Sequence, residues 1–157
     1  FFSMQKYTQI RKISRGTRGE CSLVLNAEDQ QLYVAKEVHL DSLSEVERMA
    51  ALNEVDIMAT LDHPNIIKYV ESFVQKKCGT PTKLCIVMEY AEGGDLGKCA
   101  KAADGEELSE EDILDRFIEI CFAVDYCHQQ NIMHRDLKLE NVFLTSSGHI
   151  KLGDFGM

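Results

Sequence analysis

No apolar run in these 157 residues is long enough to cross a bilayer, so a membrane-spanning helix is not expected. Basic residues are scarce: 17 Lys and Arg stand against 26 Asp and Glu, for a net charge of −9. That balance argues against general nucleic-acid binding, which rests on basic surface. It leaves room for a phosphate ligand, which needs only a local cluster of cations and backbone N–H groups. None of the six cysteines (Cys21, Cys78, Cys85, Cys99, Cys121 and Cys127) forms a C-x-x-C pair. Zinc and thioredoxin-like readings therefore lack support, and reduced thiols in a cytosolic or nuclear protein are expected. There is no internal repeat, no low-complexity tract and no G-K-[ST] after a glycine turn, so a Walker-type P-loop is excluded. The opening Phe1-Phe2-Ser3-Met4-Gln5-Lys6 lacks the basic-then-apolar layout of a secretion signal and does not start with Met. The expectation is a chain cut at its N-terminus.

What remains is a globular composition, 45% hydrophobic and 27% charged. Tyr7 to Ile13 and Ser22 to Asn26 read as strands around a Gly16–Gly19 turn, and Leu32 to Val38 as a third strand. Ser44-Glu45-Val46-Glu47 is a capping box opening a helix to about Leu61, stopped near His63-Pro64. Val46, Met49, Asn53 and Ile57 or Met58 fall near helical spacing and predict its packed face. Ile66 to Gln75 and Lys83 to Tyr90 read as two more strands, joined by a Gly- and Pro-punctuated link over 76–82. Ala91-Glu92-Gly93-Gly94-Asp95 breaks the pattern, and a short helix follows it. Ser109 opens a helix to about Gln129, with Ile113, Phe117, Ile120, Val124 and Cys127 at steps of three and four. Asn141 to Thr145 and His149 to Leu152 predict a hairpin around Ser146-Ser147-Gly148. This is an α+β layout in two lobes, 1–90 and 91–157.

Two stretches near the end carry the chemistry. His134-Arg135-Asp136-Leu137-Lys138-Leu139-Glu140-Asn141 and Asp154-Phe155-Gly156 offer a carboxylate that can take a hydroxyl proton, with a Lys beside it. They also offer an Asn and an Asp, hard oxygen ligands of the kind Mg²⁺ demands. In this order and separation they resemble the eukaryotic protein-kinase family, with its H-R-D-L-K-x-x-N loop and D-F-G motif. The resemblance implies a two-lobed kinase-like fold: a five-stranded antiparallel small lobe with one helix, then an incomplete, mainly helical large lobe. It implies ATP and Mg²⁺ as cofactors, Asp136 as base, Lys138 neutralising the moving phosphoryl group, and Asn141 and Asp154 as metal ligands. A placed base is worth about 10²–10⁴ in rate. It also sets His134 against Phe155, and gives Arg135 a phosphorylated partner in an activation loop beyond this chain.

Upstream, Tyr33-Val34-Ala35-Lys36-Glu37-Val38 resembles the family's V-A-I-K strand. By that resemblance Lys36 meets the α- and β-phosphates and pairs with Glu54, while Glu47 caps its helix. Ser14-Arg15-Gly16-Thr17-Arg18-Gly19-Glu20-Cys21 matches the family's glycine-rich turn least well. The implied nucleotide contacts there are Ile13, Ser14, Gly16, Gly19 and Cys21. A left-handed backbone at Ser14 would cost roughly 1–2 kcal/mol, about tenfold in affinity. Arg18 either approaches the phosphates or faces solvent; Cys21 is either a reactive thiol or a small packed residue. Val34 and Phe143 are implied to sandwich adenine, with Met88 behind it, where it also serves as core filler. Backbone groups of Glu89 and Ala91 are implied to hydrogen-bond its edge.

Lys138 is the serine/threonine form of the loop. Val87-Met88-Glu89-Tyr90, Glu92-Gly93-Gly94-Asp95-Leu96 and Asn141-Val142-Phe143-Leu144-Thr145 are similar to the NIMA-related kinases; Leu139, where Pro is commonest, departs from the pattern. Met157 leans toward Ser as acceptor by family analogy. The resemblance implies transfer of the γ-phosphoryl group to a protein Ser or Thr, with regulatory protein partners. It implies a cytoplasmic setting, with nucleus, centrosome and cilium open by family. The rival is a non-catalytic pseudokinase or scaffold: the altered glycine turn favours it, and retention of Lys36, Glu54, Asp136, Asn141 and Asp154 counts against it. The resemblance covers only the first part of the catalytic domain, so the piece by itself is expected to lack peptide turnover. The resemblance packs the Ile113–Cys127 helix near later helices beyond this piece, where full burial of Ile113, Phe117, Ile120 and Val124 would contribute roughly 1.5–3 kcal/mol each. That is comparable in sum with the ~5–15 kcal/mol holding a domain, so marginal stability is also expected.

Overall fold

The computed structural model describes residues 6–16, 19–102 and 109–154. Arg18, Phe155, Gly156 and Met157 lie outside them. Contacts divide the chain into two compact units. One comprises residues up to Thr60 together with Tyr69–Tyr90; the other comprises Leu61–Lys68 and the residues from Ala91 onward.

The first unit is a five-stranded sheet. Its strands are β1 (Tyr7–Gly16), β2 (Gly19–Asn26), β3 (Leu32–His39), β4 (Tyr69–Lys77) and β5 (Thr80–Glu89), in the order β1-β2-β3-β5-β4 with antiparallel neighbours. Local turn chemistry sets the register. Between β2 and β3, the Asn26 side chain accepts from the Glu28 N–H and Asp29 accepts from the Gln31 N–H. Between β4 and β5 the expected seven-residue link shrinks to Cys78 and Gly79, with φ of 51° and 82°. Positive φ at both central residues is the turn whose twist matches the flanking strands. β5 lies between two partners, and its Leu84, Cys85, Ile86 and Val87 are all buried. Val24, Ala35, Cys85 and Val87 cluster on one face of the sheet under Tyr7, Tyr33 and Phe73.

Helix α1 (Glu45–Thr60) starts as the capping box predicts. The Glu47 N–H donates to Ser44 Oγ at 3.3 Å, and the Ser44 N–H donates back to Glu47 Oε2 at 3.0 Å. The packed face differs from expectation. Val46 and Met49 are 79% and 64% exposed and Asn53 is exposed, whereas Ala51, Glu54, Val55 and Met58 are buried. Met58 is buried and Ile57 half-buried, as expected, but a small residue and a carboxylate occupy two of the other buried positions, so apolar spacing alone misses much of the face. Strand β4 also starts later than expected, at Tyr69. Ile66 and Ile67 leave it because their backbone pairs elsewhere: Ile66 bridges to Leu152, and the Ile67 N–H donates to the Leu152 carbonyl.

The second unit carries a three-stranded sheet, β6 (Gly94–Asp95), β7 (Val142–Leu144) and β8 (Ile150–Leu152), in that order. With it are helices α2 (Leu96–Ala102) and α3 (Glu110–Gln129), and a 3₁₀ turn at Leu139–Asn141 just before β7. The tiny strand β6 was not legible beforehand. Ser109 caps α3 by accepting from the Asp112 N–H. Ala123 and Cys127 are its buried residues; Ile120 and Val124 are half-buried, and Ile113 and Phe117 are exposed. Helix α3 lies against β8. Among the described residues no helix is long and apolar enough to cross a membrane.

Gly19 has a structural duty independent of any ligand. A Cβ there would lie 1.7 Å from the backbone oxygen of Glu37, at φ +154°. Gly19→Ala must push β2 off β3 where Gly19 faces Val38. The expected cost is about 1–3 kcal/mol, read as a lower denaturation midpoint. An unchanged midpoint would show that the strands part freely.

Candidate active site

In the first unit, strand register places most of the sequence-predicted nucleotide residues on one face. Ser14 faces Cys21, Cys21 faces Lys36, and Val34 faces Met88, each directly across adjacent strands. Directly opposed residues share a face, as do positions two apart on one strand. Ser14, Cys21, Val34, Lys36 and Met88 therefore form one patch. Ile13 sits at a bulge and is 38% exposed; Gly16 and Gly19 face each other at the mouth of the turn. Ser14 is not among the described residues with positive φ, so the left-handed penalty does not arise. Lys36 Nζ donates to Glu54 Oε1 at 3.3 Å. The Glu54 side chain is 8% exposed and that of Lys36 25%. A carboxylate this buried needs its cation.

In the second unit, hydrogen bonds converge on Asp136. Lys138 Nζ donates to its Oδ2 at 2.6 Å and Asn141 Nδ2 to the same oxygen at 2.9 Å. Asn141 Nδ2 also donates to the Asp136 carbonyl at 2.8 Å. The Lys138 hydrogen bond first, and the Asn141 bond second, hold the Asp136 carboxyl below the usual carboxylate range. The same pairing raises Lys138 above its ordinary value. Because the Asp136 value is depressed, the stabilisation is fully present above the ordinary carboxylate range and is lost as pH falls through the lowered value.

His134 links this loop to the next. Its Nε2–H donates to the Gly153 carbonyl at 2.9 Å, and its Nδ1 accepts from the Asp136 N–H at 3.3 Å. Sequence reasoning gave His134 only a packing role; its hydrogen bonds were invisible there. The Gly153 N–H donates to the Asn141 carbonyl at 2.9 Å. A Cβ on Gly153 would come within 3.0 Å of the Phe143 ring and 3.1 Å of Ile67, so the glycine keeps this junction tight. Asp154 follows directly, at φ 51°, and Arg135 stands at φ 66°. Such backbones cost of order 1–3 kcal/mol each for non-glycine residues and cluster at functional sites.

The comparisons with known proteins now bear on this geometry. Residues 7–157 match the family described as the protein kinase domain. The chain belongs to the protein kinase family. It is 43% identical over 154 residues to mouse serine/threonine-protein kinase Nek1, covering 98% of this chain and 12% of that protein. It is 41% identical over 151 residues to mouse serine/threonine-protein kinase Nek4, covering 96% of this chain and 19% of that one. It is 41% identical over 159 residues to a probable serine/threonine-protein kinase, nek3, of Dictyostelium discoideum, covering 98% and 14%. The chain thus spans between about an eighth and a fifth of the length of these relatives. The two-lobed kinase-like fold and the likeness to NIMA-related kinases stand.

Asn65 and Glu119 are additional members of this kinase framework that sequence reasoning passed over. Asn65 Nδ2 donates to the Ile150 carbonyl, and the Leu152 N–H donates to the Asn65 carbonyl. The His63-Pro64-Asn65 stop after α1 was the available signal, since Pro extends the residue before it and ends the helix. Thiol reactivity offers a direct check on burial. Desolvation pushes the Cys85 thiol up to about 12 and raises that of Cys127, while Cys78 and Cys121 are exposed. At pH 8, alkylation followed by mass spectrometry is expected to mark Cys78 and Cys121 well before Cys85 and Cys127. Early labelling of Cys85 would contradict its packing. A second check uses Lys138→Met. The Asp136 carboxyl should then titrate upward, toward the ordinary ~3.9, in a carbon-13 NMR titration; no movement would mean that Lys138 does not hold it.

Proposed function

We propose that the protein transfers the γ-phosphoryl group of Mg-ATP to a Ser or Thr hydroxyl of a protein substrate. The observation that carries this reading is the convergence of Lys138 and Asn141 on one oxygen of Asp136. The other oxygen is turned to neither of them and can accept a hydroxyl hydrogen. In this reading residues 1–90 form the nucleotide-holding lobe and 91–157 the part that carries base and metal ligands. Lys36, oriented by Glu54, binds the α- and β-phosphates. Gly16 and Gly19 let the backbone approach the phosphates, and Ile13, Ser14, Cys21, Val34, Met88 and Phe143 line the nucleotide, with Glu89 and Ala91 offering backbone groups to adenine. Asp136 orients the acceptor hydroxyl and takes its proton; Lys138 neutralises charge on the group in flight.

Asn141 and Asp154 would hold Mg²⁺. The donor set fits: Asn141 spends its NH₂ on Asp136 and keeps Oδ1 for a ligand. Among the described residues no group of three or more His, Cys, Asp or Glu side chains forms a metal cluster. Two oxygen donors with water completing the shell suit Mg²⁺ rather than zinc. When bound, the ion screens phosphate charge. A cytoplasmic setting and regulatory protein partners belong to the same proposal.

Two substitutions test it. Lys36→Ala also strands a buried carboxylate, which costs about 3–5 kcal/mol; the double variant Lys36→Ala/Glu54→Gln removes that confusion. Both are expected to bind ATP at least about tenfold more weakly, consistent with loss of a charge-assisted contact. Calorimetry showing wild-type affinity in the double variant would sink the assignment. Asp136→Asn should leave ATP affinity within about twofold yet slow transfer to a Ser/Thr peptide by roughly 10²–10⁴. A scaffold would be indifferent to that change.

A further inference from the structure

We propose that Glu119 is a positioning residue for the metal-holding end of the β7–β8 hairpin. The inference rests on the reading of Asn141 and Asp154 as the Mg²⁺ ligands. Glu119 lies midway along α3, and its side chain is only 22% exposed. One carboxylate oxygen, Oε2, accepts from the Ile150 N–H at 2.8 Å. The other, Oε1, accepts from His149 Nδ1–H at 2.6 Å.

The Ile150 N–H has nowhere else to go. Ile150 is fully buried, and its outward carbonyl is taken by Asn65 Nδ2. Leu152, also fully buried, is held through its N–H by the Asn65 carbonyl and through its carbonyl by the Ile67 N–H. Both residues thus turn their backbone groups away from β7, and Glu119 is the partner at the leading end. Removing it leaves a buried donor unsatisfied, which the strand can relieve only by moving. The strand is three residues long, so movement at Ile150 reaches Gly153 and Asp154. It also reaches Asn141, because Leu152 faces Val142 and the Gly153 N–H holds the Asn141 carbonyl. Both proposed metal ligands hang from this hairpin, and Glu119 ties it to the helix. The task needs an acceptor oxygen rather than a charge, so Gln can perform it and Ala cannot. The His149 arm is 67% exposed and carries less, as solvent-facing pairs do.

The test compares wild type with Glu119→Ala, Glu119→Gln, His149→Ala and, as control, Asp154→Asn. Three quantities are read: the Mg²⁺ concentration for half-maximal ATP binding, the ATP affinity without Mg²⁺, and amide hydrogen exchange over Ile150–Gly153. Glu119→Ala is expected to raise the Mg²⁺ requirement about tenfold, the low end of what loosening the support around metal ligands costs. It should also speed exchange over Ile150–Gly153 and leave Mg²⁺-free affinity within about twofold. Glu119→Gln should restore both changed quantities, and His149→Ala should change little. An unchanged Mg²⁺ requirement in Glu119→Ala, beside a raised one in Asp154→Asn, overturns the inference alone. Equal loss of Mg²⁺-free affinity in Glu119→Ala also overturns it, because the role would then be general support. An unchanged requirement in Asp154→Asn overturns the metal reading and the inference with it. If Glu119→Ala does not fold, Glu119→Asp, which retracts the acceptor by one methylene, must raise the requirement; no rise overturns the proposal.

Discussion

The second unit depends on satisfying the backbone of one buried three-residue strand. Ile150 and Leu152 are fully buried, and a buried N–H or C=O without a partner costs about 1–3 kcal/mol. Every outward group of these two residues is met: by Glu119, by both the side chain and the backbone of Asn65, and by the Ile67 N–H. That requirement explains why Ile66 and Ile67 abandon the strand their β-branched side chains predict. It also explains why a small residue suits position 153, where a Cβ would press on the Phe143 ring and Ile67. Beyond Gly153 the next residue is Asp154, placed at positive φ by a junction whose N–H and carbonyl are already committed to Asn141 and His134.

The first unit solves a different problem, the burial of a charge. Glu54 is placed inward on α1 at the cost of desolvation, and Lys36 on β3 offsets it. The helix then presents Ala51, Val55 and Met58 on the same side, and its more hydrophobic-looking side, Val46 and Met49, is left outward. Direct pairing of β3 with β2 and β5 keeps Lys36 on the face of Ser14, Cys21, Val34 and Met88. The other face is closed by Tyr7, Tyr33 and Phe73 over Val24, Ala35, Cys85 and Val87. One face is thereby packed with side chains of the unit itself, and the polar patch falls on the other.

Much of this was legible in the residues. The five strands, the capped helix and the hairpin follow from periodicity and turn residues, and the H-R-D and D-F-G stretches pointed to the family because their order and separation are specific. Three kinds of fact were not legible. The facing of α1 was hidden because its buried stripe contains Ala and Glu, which apolar spacing does not register. The loss of Ile66 and Ile67 from β4 was hidden because Val- and Ile-rich runs do not say which strand they join. The roles of Asn65, His134 and Glu119 were hidden because each acts on backbone groups of β8 or Gly153, distant in sequence. Ser14 shows the opposite error: a family pattern suggested strain, and its backbone does not adopt the left-handed form.

The depressed Asp136 carboxyl bears on how the proposed transfer would work. A carboxylate stabilised by Lys138 and Asn141 is ionised near neutrality but is a weak base, and a base is most effective when its pKa lies near the working pH. Its first service on the proposed reading is therefore to orient a hydroxyl, with proton uptake coming late. Phosphoryl transfer permits this, because its loose transition state asks for positioning and charge neutralisation before it asks for proton removal. The largest cause of the depression is Lys138, the same side chain assigned to the moving phosphoryl group. On that reading, a Lys138 that moved its hydrogen bond from Asp136 to that group would take away the carboxyl's main stabiliser and make it more basic. Asn141, which remains on Oδ2, keeps the carboxylate aimed while this happens. On the proposed reading, the 2.6 Å hydrogen bond from Lys138 would link charge neutralisation at the phosphate to the basicity of Asp136.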